Sequence, residues 1–230
     1  MIRAVIFDLD NTLLDFMRMK EEAIEAAIEA MIDAGLKIDR KVAKEKIYAI
    51  YETKGIEYQQ VFDRFLEEVL GEIDYKIHAA GITGYRRARE ARLVTYPHVN
   101  LALTELLKRG LKLGVVSDAP RLQAWLRLCA LNLHHHFDVV VTFEDTGRRK
   151  PDPAPFLKAL TQLNTRPEET IMVGDWVERD IEGARQIGIK TVFARYGDVT
   201  GTEDSGADYE IDDIMDLIPI IDKENGADRS

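Results

Sequence analysis

Between residues 98 and 221 the chain switches repeatedly between two hydrophobic periods, and that alternation leaves few folds open to it. Short apolar runs at residues 111–116, 139–141, 170–173 and 190–194 have the length and β-branched content of strands buried on both faces. Helical stretches separate them at 100–109, 120–131, 153–163 and 177–187, and a last one follows at 211–221. Parallel strands need crossovers of about a dozen residues, so this order predicts a parallel sheet with helices on both faces. Ala4-Val5-Ile6-Phe7 is equally apolar and is expected in the same sheet. The expected class is therefore α/β, a Rossmann-like parallel sheet of about five strands.

One stretch breaks the alternation. Residues 20–34 place Ile24, Ile28 and Ile32 at intervals of four, an amphipathic helix. A second helix, opened by Asp39, is expected to residue 51. A third, over 57–70, carries Val61, Phe62, Phe65, Leu66 and Val69 on one face, and a fourth covers 73–93. Four helices with no strand between them predict a small inserted bundle. Pro97 breaks the pattern on the way back. The domains expected are a core of 1–15 and 94–230 and a helical cap of 16–93. An insert that leaves the core a few residues after Asp10 is expected over the sheet edge where chemistry would occur.

A chain of 230 residues, 46% hydrophobic and 31% charged, can bury a substantial core. Its formal charge of −10 argues against a phosphate-backbone binder, which needs clustered Lys and Arg. The one cysteine, Cys129, excludes an intrachain disulfide. It sits in the apolar run 126–133 and is expected in the core. No leader and no long apolar span is apparent, so a cytoplasmic protein with no membrane and no nucleic-acid partner is expected, as a monomer or homodimer.

Ligands of parallel sheets bind beyond the carboxyl ends of the strands. The residues expected there are Asp8 and Asp10 after the first strand, Ser117 and Asp118 after the second, Lys150 in a later loop and Asp175 after Gly174, with Asp180 five residues on. Each has a structural alternative: acidic strand ends are common, serine favours turns, and a helix dipole favours a first-turn aspartate such as Asp180. The triplet His134-His135-His136 is read as a loop, because consecutive side chains diverge. Trp176 has no role fixed by the sequence.

Asp8-x-Asp10-x-Thr12, Ser117 after an apolar strand, Lys150-Pro151-Asp152-Pro153 and Gly174-Asp175 with Asp180 occur in that order, and the set resembles the haloacid dehalogenase superfamily. The resemblance implies a phosphatase acting on small phosphorylated metabolites through an aspartyl-phosphate. Asp8 would be the nucleophile and Asp10 the general acid and base. Mg²⁺ would be held by the Asp8 carboxylate, the Asp10 main-chain carbonyl and the Asp175 carboxylate, with Asp180 behind them orienting Asp175 or a water. Ser117, Asp118 and Lys150 would bind phosphate, although Asp118 stands where the superfamily often has a neutral residue and its carboxylate would repel an anion unless turned away. A phosphomutase would share every motif. A dehalogenase would lack the second acid, Asp10, and a binding protein that kept only the fold would be expected to lose the nucleophile or a metal aspartate.

Overall fold

The computed structural model describes residues 1–226. The chain forms two compact units, Met1–Asp15 with Thr95–Ser230, and Phe16–Val94. The first unit holds a six-stranded sheet of order β3-β2-β1-β4-β5-β6, made of β1 (Ala4–Phe7), β2 (Lys112–Val116), β3 (Val139–Val141), β4 (Thr170–Gly174), β5 (Lys190–Ala194) and β6 (Tyr209–Ile211). All pairings are parallel. Every residue of β1 and β4 is buried, which is why their sequences are continuous apolar runs rather than alternating ones.

The strand order places the candidate ligand edge. The chain winds outward from β1 through β2 to β3, then returns to the other side of β1 with β4, so the connections leave β1 and β4 in opposite directions. That reversal opens a crevice at the carboxyl ends of the two central strands. Phe7 pairs with Val173 and with Val115; the register therefore carries Asp8, Asp175 and Ser117 to one edge.

The second unit contains α1 (Phe16–Asp33), α2 (Arg40–Lys54), α3 (Val61–Leu70) and α4 (Tyr75–Arg92). Ile24, Ile28, Met31, Ile47, Phe62, Phe65 and Leu66 form its core, as the helical periods require. Asp39 caps α2, its carboxylate accepting the Lys41 and Val42 N–H groups. Helices α1 and α4 approach so closely that a Cβ on Gly84 would lie 2.7 Å from the Ala26 carbonyl oxygen.

The remaining helices are α5 (Val99–Lys108), α6 (Arg121–Ala130), α7 (Phe143–Thr146), α8 (Pro153–Leu163), α9 (Glu182–Arg185) and α10 (Leu217–Glu224). None of the helices described is long and apolar enough to cross a membrane. Several boundaries differ from expectation. Helix α1 begins at Phe16 and α3 at Val61, while α5 is opened by His98 in the left-handed region, with Asn100 already inside its first turn. The sixth strand is three residues long, too short to show a period, and depends on pairing with β5. The helix expected over 177–187 is a π-helical turn, Val177–Ile181, followed by the single turn of α9. The polar residues 223–230 that close the sequence include the end of α10 at Glu224, and residues 227–230 lie outside the described residues. Cys129 is exposed rather than in the core. Helix α6 buries Ala124, Arg127 and Leu128, and Cys129 falls on the opposite face with Leu122, Trp125 and Leu126.

Candidate active site

At the end of β1 the backbone stays extended for one more residue, with the Asp8 N–H donating to the Val173 carbonyl at 2.9 Å. The Asp8 side chain is thereby held against β4. Single ligand atoms of Asp8, Asp175 and Asp180 lie within 4.8 Å of one another, and all three residues are buried. Lys150 is the cation among them. Its Nζ donates to Asp8 Oδ1 at 2.5 Å and to Asp180 Oδ1 at 2.6 Å. The residues after it form a helix start, where the Asp152 carboxylate accepts the Ala154 N–H at 2.9 Å and Pro153 occupies the first turn of α8.

Asp180 lies in a π-helical turn, Val177–Ile181, directly after Trp176. The Glu182 N–H closes the wide turn onto the Val177 carbonyl, while the Asp180 N–H donates to the Trp176 carbonyl at 2.7 Å and the Asp180 Oδ2 accepts the Trp176 N–H at 3.1 Å. Gly174 leaves the room: a Cβ there would sit 2.4 Å from the Asp180 side chain. Both Asp180 oxygens are thus engaged, one by Lys150 and one by the backbone just after Asp175. Asp175 is oriented from the other side, its Oδ1 accepting the Thr12 hydroxyl at 2.8 Å. Thr12 is fully buried, and the Tyr196 hydroxyl donates to its carbonyl at 2.9 Å.

Three carboxylates and one ammonium leave an excess of negative charge in a dry place. Burial pushes the Asp8 carboxyl up to about 7; Lys150 opposes this, while Asp180 and Asp10 add to it. Burial, followed by the Asp8 and Asp180 carboxylates, pushes Asp175 up to about 9, against the Thr12 hydrogen bond. Burial acts against the Lys150 charge, but Asp180 and Asp8 outweigh it and hold its pKa above the ordinary lysine range. A hard divalent cation would relieve this excess, and an all-oxygen donor set fits Mg²⁺.

Not every expected site residue joins the cluster. The Asp10 side chain is not part of the three-carboxylate group, its Oδ2 accepting from Arg127 Nη1 at 2.7 Å. Ser117 is buried, and its Oγ accepts the Ala119 N–H at 3.2 Å, which leaves the hydroxyl proton for another acceptor. The Asp118 carboxylate turns towards the Lys150 main chain, with Oδ1 accepting that N–H at 3.0 Å. It therefore braces the lysine loop instead of presenting a charge to phosphate.

Sequence reasoning assigned no role to Thr12 or Arg127. Thr12 lay inside the quoted motif, and its hydroxyl two residues past a catalytic-type carboxylate was the available signal. Arg127 stands on the buried stripe of α6 between Ala124 and Leu128, and a charge on an apolar stripe is a signal of a buried partner. Trp176 is exposed, with the Arg179 guanidinium 3.8 Å from the centre of its ring.

A family model described as haloacid dehalogenase-like hydrolase matches residues 5–194. A glyceraldehyde 3-phosphate phosphatase of Methanocaldococcus jannaschii is 38% identical, over 96% of this chain and 97% of its own length. Another protein of that name, from Methanopyrus kandleri, is 35% identical over the same shares, 96% and 97%. Among solved structures, a HAD phosphatase from Thermococcus onnurineus is similar with a TM-score of 0.69 and 27% identity, covering 96% of this chain and 98% of the other.

Proposed function

Because this chain belongs to the haloacid dehalogenase-like hydrolases, we propose that it is a Mg²⁺-dependent phosphatase of small phosphate monoesters, with glyceraldehyde 3-phosphate as its leading substrate. The observation that carries the reaction class is the buried group of Asp8, Asp175 and Asp180 around Lys150 at the ends of the two central strands. The substrate comes from the names of the two relatives just given.

In this reading Asp8 attacks phosphorus and forms an aspartyl-phosphate, while Asp10 protonates the departing alcohol and then takes the proton of the water that hydrolyses the intermediate. The Asp8 and Asp175 carboxylates and the Asp10 main-chain carbonyl would hold Mg²⁺, which when bound would supply charge neutralisation at the phosphoryl oxygens. Asp180, with both oxygens engaged, keeps Lys150 and the turn after Asp175 in place. Lys150 and the Ser117 hydroxyl bind the phosphoryl group. Asp118 contributes through its backbone N–H and the support it gives to the Lys150 loop. Residues 1–15 and 94–230 form the catalytic core, and 16–93 act as its cap.

Phosphate release from glyceraldehyde 3-phosphate and from an aryl phosphate, with and without Mg²⁺, tests the reading. Asp8→Asn keeps the side-chain volume and is expected to abolish turnover of both. Full activity of that variant, or undiminished activity after chelation, would overturn it.

A further inference from the structure

Arg179 is a cation at this edge of the core unit that neither the motifs nor the proposed reaction uses. Its guanidinium lies 3.8 Å over the Trp176 ring, and its Nη1 is 3.6 Å from Asp118 Oδ2. The latter separation exceeds a hydrogen bond. Asp118 Oδ2 is itself buried and has no hydrogen-bond partner. Among the described residues no acceptor takes any of the five Arg179 N–H groups. The side chain is nevertheless fixed in two directions, by stacking on the ring and by the carboxylate below.

Both anchors adjoin the reaction site. Trp176 follows Asp175, Asp118 follows Ser117, and Arg179 itself precedes Asp180. The guanidinium is thus tied to the two loops that follow β2 and β4, yet it lies outside the Asp8–Asp175–Asp180 group. With 40% of its side chain exposed, the guanidinium is open to an incoming ligand beside that group.

Resting on the phosphatase reading above, we propose that Arg179, held by Trp176 and Asp118, is a substrate-recognition residue that donates hydrogen bonds to a neutral carbonyl or hydroxyl oxygen on the carbon chain of the phosphate ester. The neutrality follows from Asp118. The Asp118 carboxylate offsets the Arg179 charge from 3.6 Å away, so a substrate carboxylate drawn to the guanidinium would also feel its repulsion. A neutral oxygen accepts from the same N–H groups without that repulsion. Short-chain aldehyde, ketone and polyol phosphates fit this demand better than phosphorylated carboxylic acids.

The test compares Arg179→Leu, Arg179→Lys and Asp118→Asn with the wild-type, Mg²⁺-loaded protein. The probes are glyceraldehyde 3-phosphate, 2-phosphoglycolate and phenyl phosphate, the last having no oxygen beyond the ester. A charged-donor hydrogen bond is worth about a 10- to 100-fold change in binding. Arg179→Leu is expected to raise the KM for glyceraldehyde 3-phosphate by about that factor, with a smaller change in kcat. The preference over phenyl phosphate should fall correspondingly. Arg179→Lys should restore only part of it, because an ammonium lacks the planar fork. Asp118→Asn retains an acceptor for the Lys150 N–H and should move selectivity towards 2-phosphoglycolate. Equal losses on glyceraldehyde 3-phosphate and phenyl phosphate in Arg179→Leu would overturn the proposal. If the wild-type protein hydrolysed none of the esters, the phosphatase reading would fail instead. Calorimetric binding of glycerol 3-phosphate, weakened in Arg179→Leu or not, would then decide the role of Arg179.

Discussion

Thr12→Val tests the reading of the acidic group as a cation site. The two side chains have nearly the same shape, Thr12 is fully buried, and its hydroxyl makes a 2.8 Å hydrogen bond to Asp175 Oδ1. The substitution removes that donor and leaves a buried carboxylate oxygen with one partner fewer. A hydrogen bond to a charged group is worth about 1.5–3 kcal/mol. Groups that orient a metal ligand commonly contribute about 10- to 100-fold in metal affinity, or about 1.4–2.8 kcal/mol. The two figures agree, so the Mg²⁺ concentration for half-maximal activity should rise about 10- to 100-fold. The loss has a second source: Thr12 holds the Asp175 pKa down against burial and its acidic neighbours, so the variant must give up a more tightly held proton to bind the cation. Activity at saturating Mg²⁺ should fall less than activity at limiting Mg²⁺. The assay is phosphate release from an aryl phosphate titrated with Mg²⁺, with circular dichroism to confirm the fold. A half-saturating Mg²⁺ concentration within twofold of wild type would refute the reasoning.

Further predictions follow from neighbouring contacts. Gly174→Ala places a Cβ 2.4 Å from the Asp180 side chain; overpacking of this kind costs about 1–3 kcal/mol, and displacement of Asp180 should also lower kcat. Urea unfolding and turnover measure the two effects, and a variant as stable and active as wild type would contradict the geometry. Arg127→Met removes the 2.7 Å donor from Asp10 Oδ2 and should slow alkyl phosphates more than nitrophenyl phosphate, whose leaving group needs little protonation; equal losses would separate Arg127 from proton transfer. The folded-state values of Asp8, about 7, and Asp175, about 9, lie above the unfolded 3.8. In metal-free protein their contribution to stability is full below pH 3.8 and is lost as pH rises through 7 to 9. Mg²⁺ binds the ionised forms, so the Mg²⁺-induced rise in Tm should grow from pH 5 to pH 9, and a shift that shrank over that range would sink the electrostatic picture.

The alternation of strand and helix, the inserted helices and the motif residues at strand ends were legible in the sequence because each is local. A buried parallel strand must be apolar throughout, so β1, β2 and β4 stand out, and the aspartate or serine that ends each run marks the edge. Helix α8 was legible to the residue because proline at its first turn and Asp152 before it encode its start. What the sequence left undecided depends on partners far along the chain. Strand β6 needs β5 beside it, and Thr12 meets Asp175 across 163 residues. The direction of the Asp118 carboxylate depends on the Lys150 N–H, 32 residues away. Tertiary structure alone also shows a π-helical turn where a regular helix was expected after Trp176, with Asp180 packed over Gly174 and bonded to Lys150. Hydrophobic period and turn chemistry reside in neighbouring residues, whereas the orientation of a buried carboxylate is set by whichever distant donor the fold brings to it.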